Sequence, residues 1–429
     1  MKTRISGFTE ATFRSLHVPN FRKFFFGQLV SQVGNWLTLI AQTLLVLHLT
    51  NKSGLAVGVL SACQFAPVLV LGAWAGLVAD RSDKRKLLVI VQFIAMAQSF
   101  ALAALAFSGH PPVWSIDLVA VVGGCTVAFD NPARRAFVVE MVSDDDVSNA
   151  VSLNSALMTS ARIIGPAFAG LLVILAGYGW CFTLDALSYI AVIVAFLKMN
   201  PAELRLPPVT ERARRQVRAG LQYVRTVPDL WIPLLMMAVV GTLSFNFQVV
   251  LSLFVEKTFH GGTGMFTLLF STTAVGSLMG ALSTARRKTI EARDVIVASA
   301  AFGIAMCVLA ASPDLGIAFP LGIALGWTSI SFMTASTAIV NLRSAPEMRG
   351  RVLALQAIVF LGSTPIGGPL LGIICDEYGA RAGLVVGGVA ALGAALFGTL
   401  VVRRHARRVA ALPPELHAAD ATAQASYAR

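Results

Sequence analysis

Residues 76–86 read Gly76-Leu77-Val78-Ala79-Asp80-Arg81-Ser82-Asp83-Lys84-Arg85-Lys86. Six of the seven residues from Asp80 to Lys86 carry charge in a chain that is only 13% charged, so the cluster demands a reason. The run after it, "LLVIVQFIAMAQSFALAALAF" (87–107), has no charge at all. With 56% hydrophobic side chains and a mean hydropathy of +0.73, the chain holds more apolar surface than one soluble core buries. A bilayer core takes about 20 apolar residues per helix. That ruler gives twelve spans: 21–49, 54–79, 87–108, 113–130, 149–176, 179–198, 230–256, 264–285, 294–311, 316–340, 352–375 and 381–402. Continuous apolar runs exclude membrane strands, which alternate polar and apolar. The charged stretch is therefore the turn between the second and third spans.

Basic loops stay in the cytoplasm. With the N-terminus inside, every one of the 34 Lys and Arg except Lys52, Lys257, Arg381 and the intramembrane Arg162 falls on the cytoplasmic side. Both termini are then cytoplasmic. The net charge of +12 is explained by insertion, so it gives no reason to expect a nucleic-acid partner. The first residues are not a cleavable signal, since Arg22 and Lys23 lead into a span too long for one. Cys63, Cys125, Cys181, Cys307 and Cys375 lie singly in or beside separate spans, without metal or redox spacing.

The chain repeats itself. Gly280 opens a second basic turn with Arg286, Arg287 and Lys288, 204 residues after Gly76. Gly165-Pro166 recurs as Gly368-Pro369, 203 residues on. Two matches at nearly one offset imply two six-helix halves, 21–198 and 230–402, duplicated in parallel. Residues 1–20 precede them, and 199–229 join them as an amphipathic linker on the inner membrane surface, with Val209, Ala213, Val217, Leu221 and Val224 at helical spacing. Residues 403–429 read as a polar, disordered cytoplasmic tail.

Twelve spans in two halves, with a Gly-x-x-x-Asp-Arg turn and trailing basic residues, resemble the major facilitator superfamily. "FRKFFFGQLVSQVGNWLTLIAQTLLVLHLT", "CQFAPVLVLGAWAGLVADRSDKRKLLVIVQ", "FDNPARRAFVVEMV", "NAVSLNSALMTSARIIGPAFAG" and "AGLQYVRTVP" resemble the bacterial branch with enterobactin exporter-like and macrolide efflux-like carriers. The resemblance implies an all-helical major facilitator fold and secondary transport. It also implies a latch that closes the cytoplasmic side: Gly76, Asp80, Arg81, Lys84 and Arg85, with Asp80 bonding to the start of helix eleven at Arg349 and Arg351, and Asp130 and Arg134 completing the network. Gly76 is small enough for close helix approach. Where the superfamily turn has Gly, this chain has Asp83. Gly165, Pro166 and Gly170 resemble the helix-five motif of exporters.

Helix one carries Gln28, Ser31, Gln32, Asn35, Thr38 and Gln42 within about 120° of its circumference. Amides in hydrocarbon need partners, so this stripe either lines a watery cavity or joins helices. Its length favours the cavity, and the resemblance places helices one, four, seven and ten around the pathway. Ser244, Gln248 and Ser252 on helix seven and Thr328, Ser331 and Thr334 on helix ten extend it, with Phe245, Phe247, Trp327 and Phe332 between them.

Arg162 lies about 20 Å from either end of its helix. An Arg at that depth is costly and faces protein or water. It is assigned either to an anionic or hydrogen-bond-accepting part of the substrate or to a structural pairing with backbone or Asp130. Asp185 and Glu256 are candidates for proton coupling, Asp185 with a structural alternative.

No nucleophile elbow, phosphate loop or metal-spaced His pair is present, so neither an enzyme nor a cofactor nor a metal is expected. The expected protein is a monomer of the bacterial cytoplasmic membrane that exports an amphipathic organic compound, a siderophore or drug, in exchange for protons. Uptake or lipid flipping by the same fold, or a scaffold without transport, is the alternative.

Overall fold

The computed structural model describes residues 12–205, 221–225, 227–285 and 290–410. Twelve helices among them are long and apolar enough to cross a membrane, and no strand occurs among the described residues. The chain divides into two compact units, Met1–Glu211 with Gly262–Ser271, and Arg212–Gly261 with Thr272–Arg429.

The first unit holds α1 (Pro19–Leu49), α2 (Gly54–Arg81), α3 (Lys84–Phe107), α4 (Val113–Glu140), α5 (Val147–Ala176) and α6 (Tyr178–Leu197). Here α1 packs on α5 and α6, and α3 on α4 and α6, while α2 packs on α4. The second holds α7a (Pro228–Leu243), α7b (Phe247–Leu253), which continues as a π-turn over Phe254–Thr258, then the larger part of α8 (Thr263–Ala285), whose stretch up to Ser271 clusters with the first unit, and α9 (Ala292–Ala310), α10 (Leu315–Arg343), α11 (Pro346–Tyr378) and α12 (Ala380–Ala410). The pairing recurs, with α7a on α11 and α12, and α9 on α10 and α12. Two glycines mark the repeat. Gly177 ends α5 at φ +86° and Gly379 ends α11 at φ +85°, a left-handed conformation that costs a residue with a Cβ.

Three boundaries depart from the sequence reading. The fourth span was expected to end at residue 130, yet α4 runs on to Glu140 with Pro132 inside it. The seventh is not one helix: it breaks at Ser244–Asn246. The last helix continues to Ala410, beyond the expected end at 402, while 411–429 lie outside the described residues. Most of the linker (206–220) and the basic turn at 286–289 also lie outside them.

Asp83 explains the missing turn glycine. It stands at φ −60°, ordinary for any residue, and its carboxylate accepts the Lys86 N–H at 3.1 Å as the N-cap of α3. Beneath this turn, Phe24, Phe137 and Phe196 pack at centroid separations of 5.8–6.3 Å. These buried rings anchor the end of the first unit that carries the charged turn. At the opposite end of the spans, Lys257 pairs with Asp376 at 2.6 Å. Arg381 donates to the carbonyls of Ala310 and Ser312, at the end of α9. Two basic residues that break the positive-inside pattern are thus structurally engaged.

Candidate functional site

The polar stripe of α1 points into its own unit. Gln28, Ser31, Gln32, Thr38 and Gln42 are buried and Asn35 is half-buried. Thr38 donates to Asp185 at 2.6 Å, and Asn35 accepts the Tyr189 hydroxyl at 2.7 Å. Gln42 accepts from Gln64 at 2.8 Å, and Gln32 donates to Gln28. Phe26, Leu29 and Val30 are the exposed large apolar residues of the same helix's first half. Length favours a cavity, but partners on α2 and α6 make Asn35, Thr38 and Gln42 helix joints.

The latch residues divide. Asp80 and Arg81 end α2, both exposed. Lys84 instead is buried in an ion pair with Glu140 at 2.6 Å. Arg85 donates to the carbonyls of Phe196 and Leu197. Both basic residues therefore fasten α3 to α4 and α6. Asp130 and Arg134 pair with each other one turn apart, inside the unexpectedly long α4. Asp130 also accepts from Gln92 at 2.8 Å, and Arg134 donates to Gln28 at 3.4 Å, so the pair belongs to the unit's interior. Among the described residues, a Cβ at Gly76 would meet nothing within 4 Å, so none of them makes the close approach expected there. Arg349 and Arg351 lie in the first turns of α11 in the second unit, where Arg351 contacts Met348.

In the second unit, Ser244 is buried at the break and donates to the Gly387 carbonyl at 2.8 Å. Gln248 is buried. Thr328 and Ser331 border a cleft of about 160 Å³ with Thr284, Asp294 and Trp327, between α8, α9 and α10. Phe245, in the middle of the break, packs on Phe247, Phe302 and Phe360. Glu256 sits half-buried in the π-turn.

α5 carries the feature that the sequence reading missed. Ser148, Ser152, Ser155 and Arg162 are exposed and Thr159 is half-buried. Their 4-3-4-3 spacing keeps them within about 80° of circumference. Ile164, Phe168, Leu171 and Leu175 are also exposed, about 180–240° away from Arg162. One outer face of α5 is thus apolar and suited to lipid, and the other is polar down to the helix middle. The hydroxyls of Ser152, Ser155 and Thr159 donate one turn back at 2.8–2.9 Å, leaving oxygen lone pairs free to accept.

Arg162 closes this face. Its guanidinium carbon stands 5.7 Å from the Trp36 ring centroid, a cation–π distance, and among the described residues it has no acidic partner. The proposed pairing with Asp130 is absent, because Arg134 takes that carboxylate. Gly165 and Gly170 make room beside it. A Cβ at Gly165 would run into the Trp36 side chain, and one at Gly170 into Thr267, in the stretch that clusters with this unit. Pro166 lacks an N–H, so the carbonyl of Arg162 loses its helix donor. One residue in mid-span thus offers a charged donor fork and a freed acceptor.

Comparison with known proteins agrees with this architecture. A family model described as transmembrane secretion effector (MFS_3) matches residues 10–424. Macrolide efflux protein A of Streptococcus pyogenes is 25% identical over 83% of this chain and 89% of its own length. The staphyloferrin A transporter of Staphylococcus aureus is 25% identical with the same coverage, and the multidrug efflux pump Tap of Mycobacterium tuberculosis is 23% identical over 91% and 94%. Among solved structures, a bacterial homologue of the human lysosomal transporter Spinster aligns with a TM-score of 0.70 at 15% identity, covering 91% of this chain and 97% of that one. That likeness concerns the fold alone. Since the family model spans all twelve membrane helices, this chain belongs to the transmembrane secretion effectors, a family of major facilitator transporters.

Proposed function

We propose that this protein exports an amphipathic organic compound, a drug or siderophore, from the bacterial cytoplasm by proton-coupled alternating access. The observation that carries the reading is the exposed polar face of α5, which leads from Ser148 to a mid-span Arg162 with no acidic partner among the described residues. A charge placed there faces water or a ligand rather than lipid. The fork recognises an anionic or hydrogen-bond-accepting group of the cargo. The efflux descriptions of the relatives support the outward direction, and the staphyloferrin A transporter supports a siderophore. The protein works as a monomer with both termini inside.

The face is tested by cysteine labelling in a cysteine-free background. Ser155→Cys and Thr159→Cys react with a water-soluble thiol reagent, and Ile164→Cys and Phe168→Cys stay silent. Equal reactivity on both faces removes the aqueous route. Labelled macrolide and siderophore panels in inverted vesicles then identify the cargo.

Asp80 serves as the cytoplasmic latch, favouring the state closed to the inside. Weakening it shifts the populations of the two access states. Asp80→Asn raises labelling of cysteines at the cytoplasmic mouth and lowers it at the outer one, with the amount of folded protein unchanged. Unaltered labelling at both mouths refutes the latch.

A further inference from the structure

The described residues contain three buried acids, Asp130, Glu140 and Asp185. Arg134 neutralises the first and Lys84 the second. Asp185 has no such cation, although its exposure is 0%. Its Oδ2 accepts hydrogen bonds from Thr38 Oγ1 at 2.6 Å and Ser99 Oγ at 2.7 Å, and its Oδ1 has no hydrogen-bond partner.

The neighbouring helices confirm the isolation. α6 packs against α1, α3 and α5. Between Lys23 and His48, α1 has no ionisable side chain, and His48 lies by Tyr178, the first residue of α6, about 10 Å along the helix from Asp185. Beyond Lys86, α3 has none. The one ionisable group on α5 is Arg162, which is stacked on Trp36. On α6 itself stand Cys181 and Tyr189, and the Tyr189 hydroxyl is engaged with Asn35. The site also fits a carboxyl closely, since a methyl at Gly34 would run into Asp185 Oδ1 and Ser188 Oγ.

A carboxylate sealed from water without a counter-charge neutralises by taking up a proton. Both of its partners are hydroxyls, which accept as readily as they donate. When a proton adds to Oδ2, the new O–H donates to Thr38 Oγ1, and the Thr38 hydrogen swings to a backbone carbonyl one turn back. The same two contacts hold the acid and its anion, so loading and unloading need no repacking.

We propose that the Asp185 carboxyl, cradled by Thr38, Ser99 and Gly34, is the proton-binding site of this carrier, occluded in the present state. Glu256, half-buried at a helix end, lacks this enclosure. The inference deepens the proton-coupled reading and rests on it. Release of the proton leaves a bare anion, which favours whichever access state brings water to α1 and α6.

Infrared titration of the full chain in liposomes tests the site without any cargo. The wild type shows a protonated-carboxyl stretch that disappears as pH rises, and Asp185→Asn lacks it. Thr38→Val and Ser99→Ala, which keep the acid, shift the midpoint of the same band. A wild type without the band, or a band unchanged in Asp185→Asn, overturns the proposal. Transport separates the two readings, with a labelled macrolide as probe in inverted vesicles. A one-unit pH gradient drives about tenfold accumulation per proton in the wild type. Asp185→Asn still exchanges macrolide at equal pH but only equilibrates it under the gradient. Accumulation by Asp185→Asn at the wild-type level makes Asp185 structural in a carrier that remains proton-coupled. Wild-type accumulation that ignores the pH gradient or follows sodium removes proton coupling itself, and the site's role with it.

Discussion

Arg162→Gln lowers the export rate about tenfold to a hundredfold while leaving the folded amount in the membrane unchanged. The magnitude follows from losing one charge-assisted hydrogen bond, about 1.5–3 kcal/mol, at about tenfold in rate per 1.4 kcal/mol. The fold is spared because the side chain is exposed and bonds no other helix through a carboxylate. Arg162→Lys does not rescue transport, since an ammonium neither forks onto a planar acceptor nor lies flat on Trp36. Initial rates in inverted vesicles, measured for each compound that the wild type carries, decide the matter. Wild-type rates for both variants would leave Arg162 without a part in recognition.

Glu140→Gln destabilises the first unit by about 3–5 kcal/mol, because it strands the buried Lys84 ammonium without its partner. The side chains are 8% and 2% exposed, so water screens little of the loss. Replacing both partners by apolar residues, Lys84→Met with Glu140→Leu, recovers most of the stability, as is common for buried pairs. Thermal unfolding followed by exposure of the native thiols reads both variants. All five cysteines are free, and Cys181 and Cys375 are buried until the chain opens. A wild-type melting temperature for Glu140→Gln would return Lys84 to the latch.

The spans were legible because continuous apolar runs such as 87–107 have no other stable home. The duplication was legible because glycine and proline leave positional marks, Gly165-Pro166 and Gly368-Pro369 among them. The end of α4 was hidden, since Asp130-Asn131-Pro132 reads as a loop. The helix continues because Pro132 frees only one carbonyl and Asp130 is answered by Arg134 one turn on. The stripe on α1 could be seen, but not what it faces. That depends on Gln64, Arg134, Asp185 and Tyr189, which are remote in sequence. On α5 the serine spacing was available from the start. Its meaning required knowing which faces remain uncovered once six helices pack.

The interruption at Ser244–Asn246 makes the two duplicated halves mechanically unlike. Bending an intact helix stretches backbone hydrogen bonds, whereas here the strained bonds are already missing and the bend is cheap. α1, the counterpart in the other unit, runs 31 residues without interruption and is stiff over its whole length. Beyond the interruption, the segment that includes Lys257 is tethered to α11 through Asp376. At the break itself, Ser244 is pinned to α12. Both pieces of helix seven rest on α11 and α12, with a compliant joint between them, so the second unit bends at the height of Phe245 while each piece keeps the same supports.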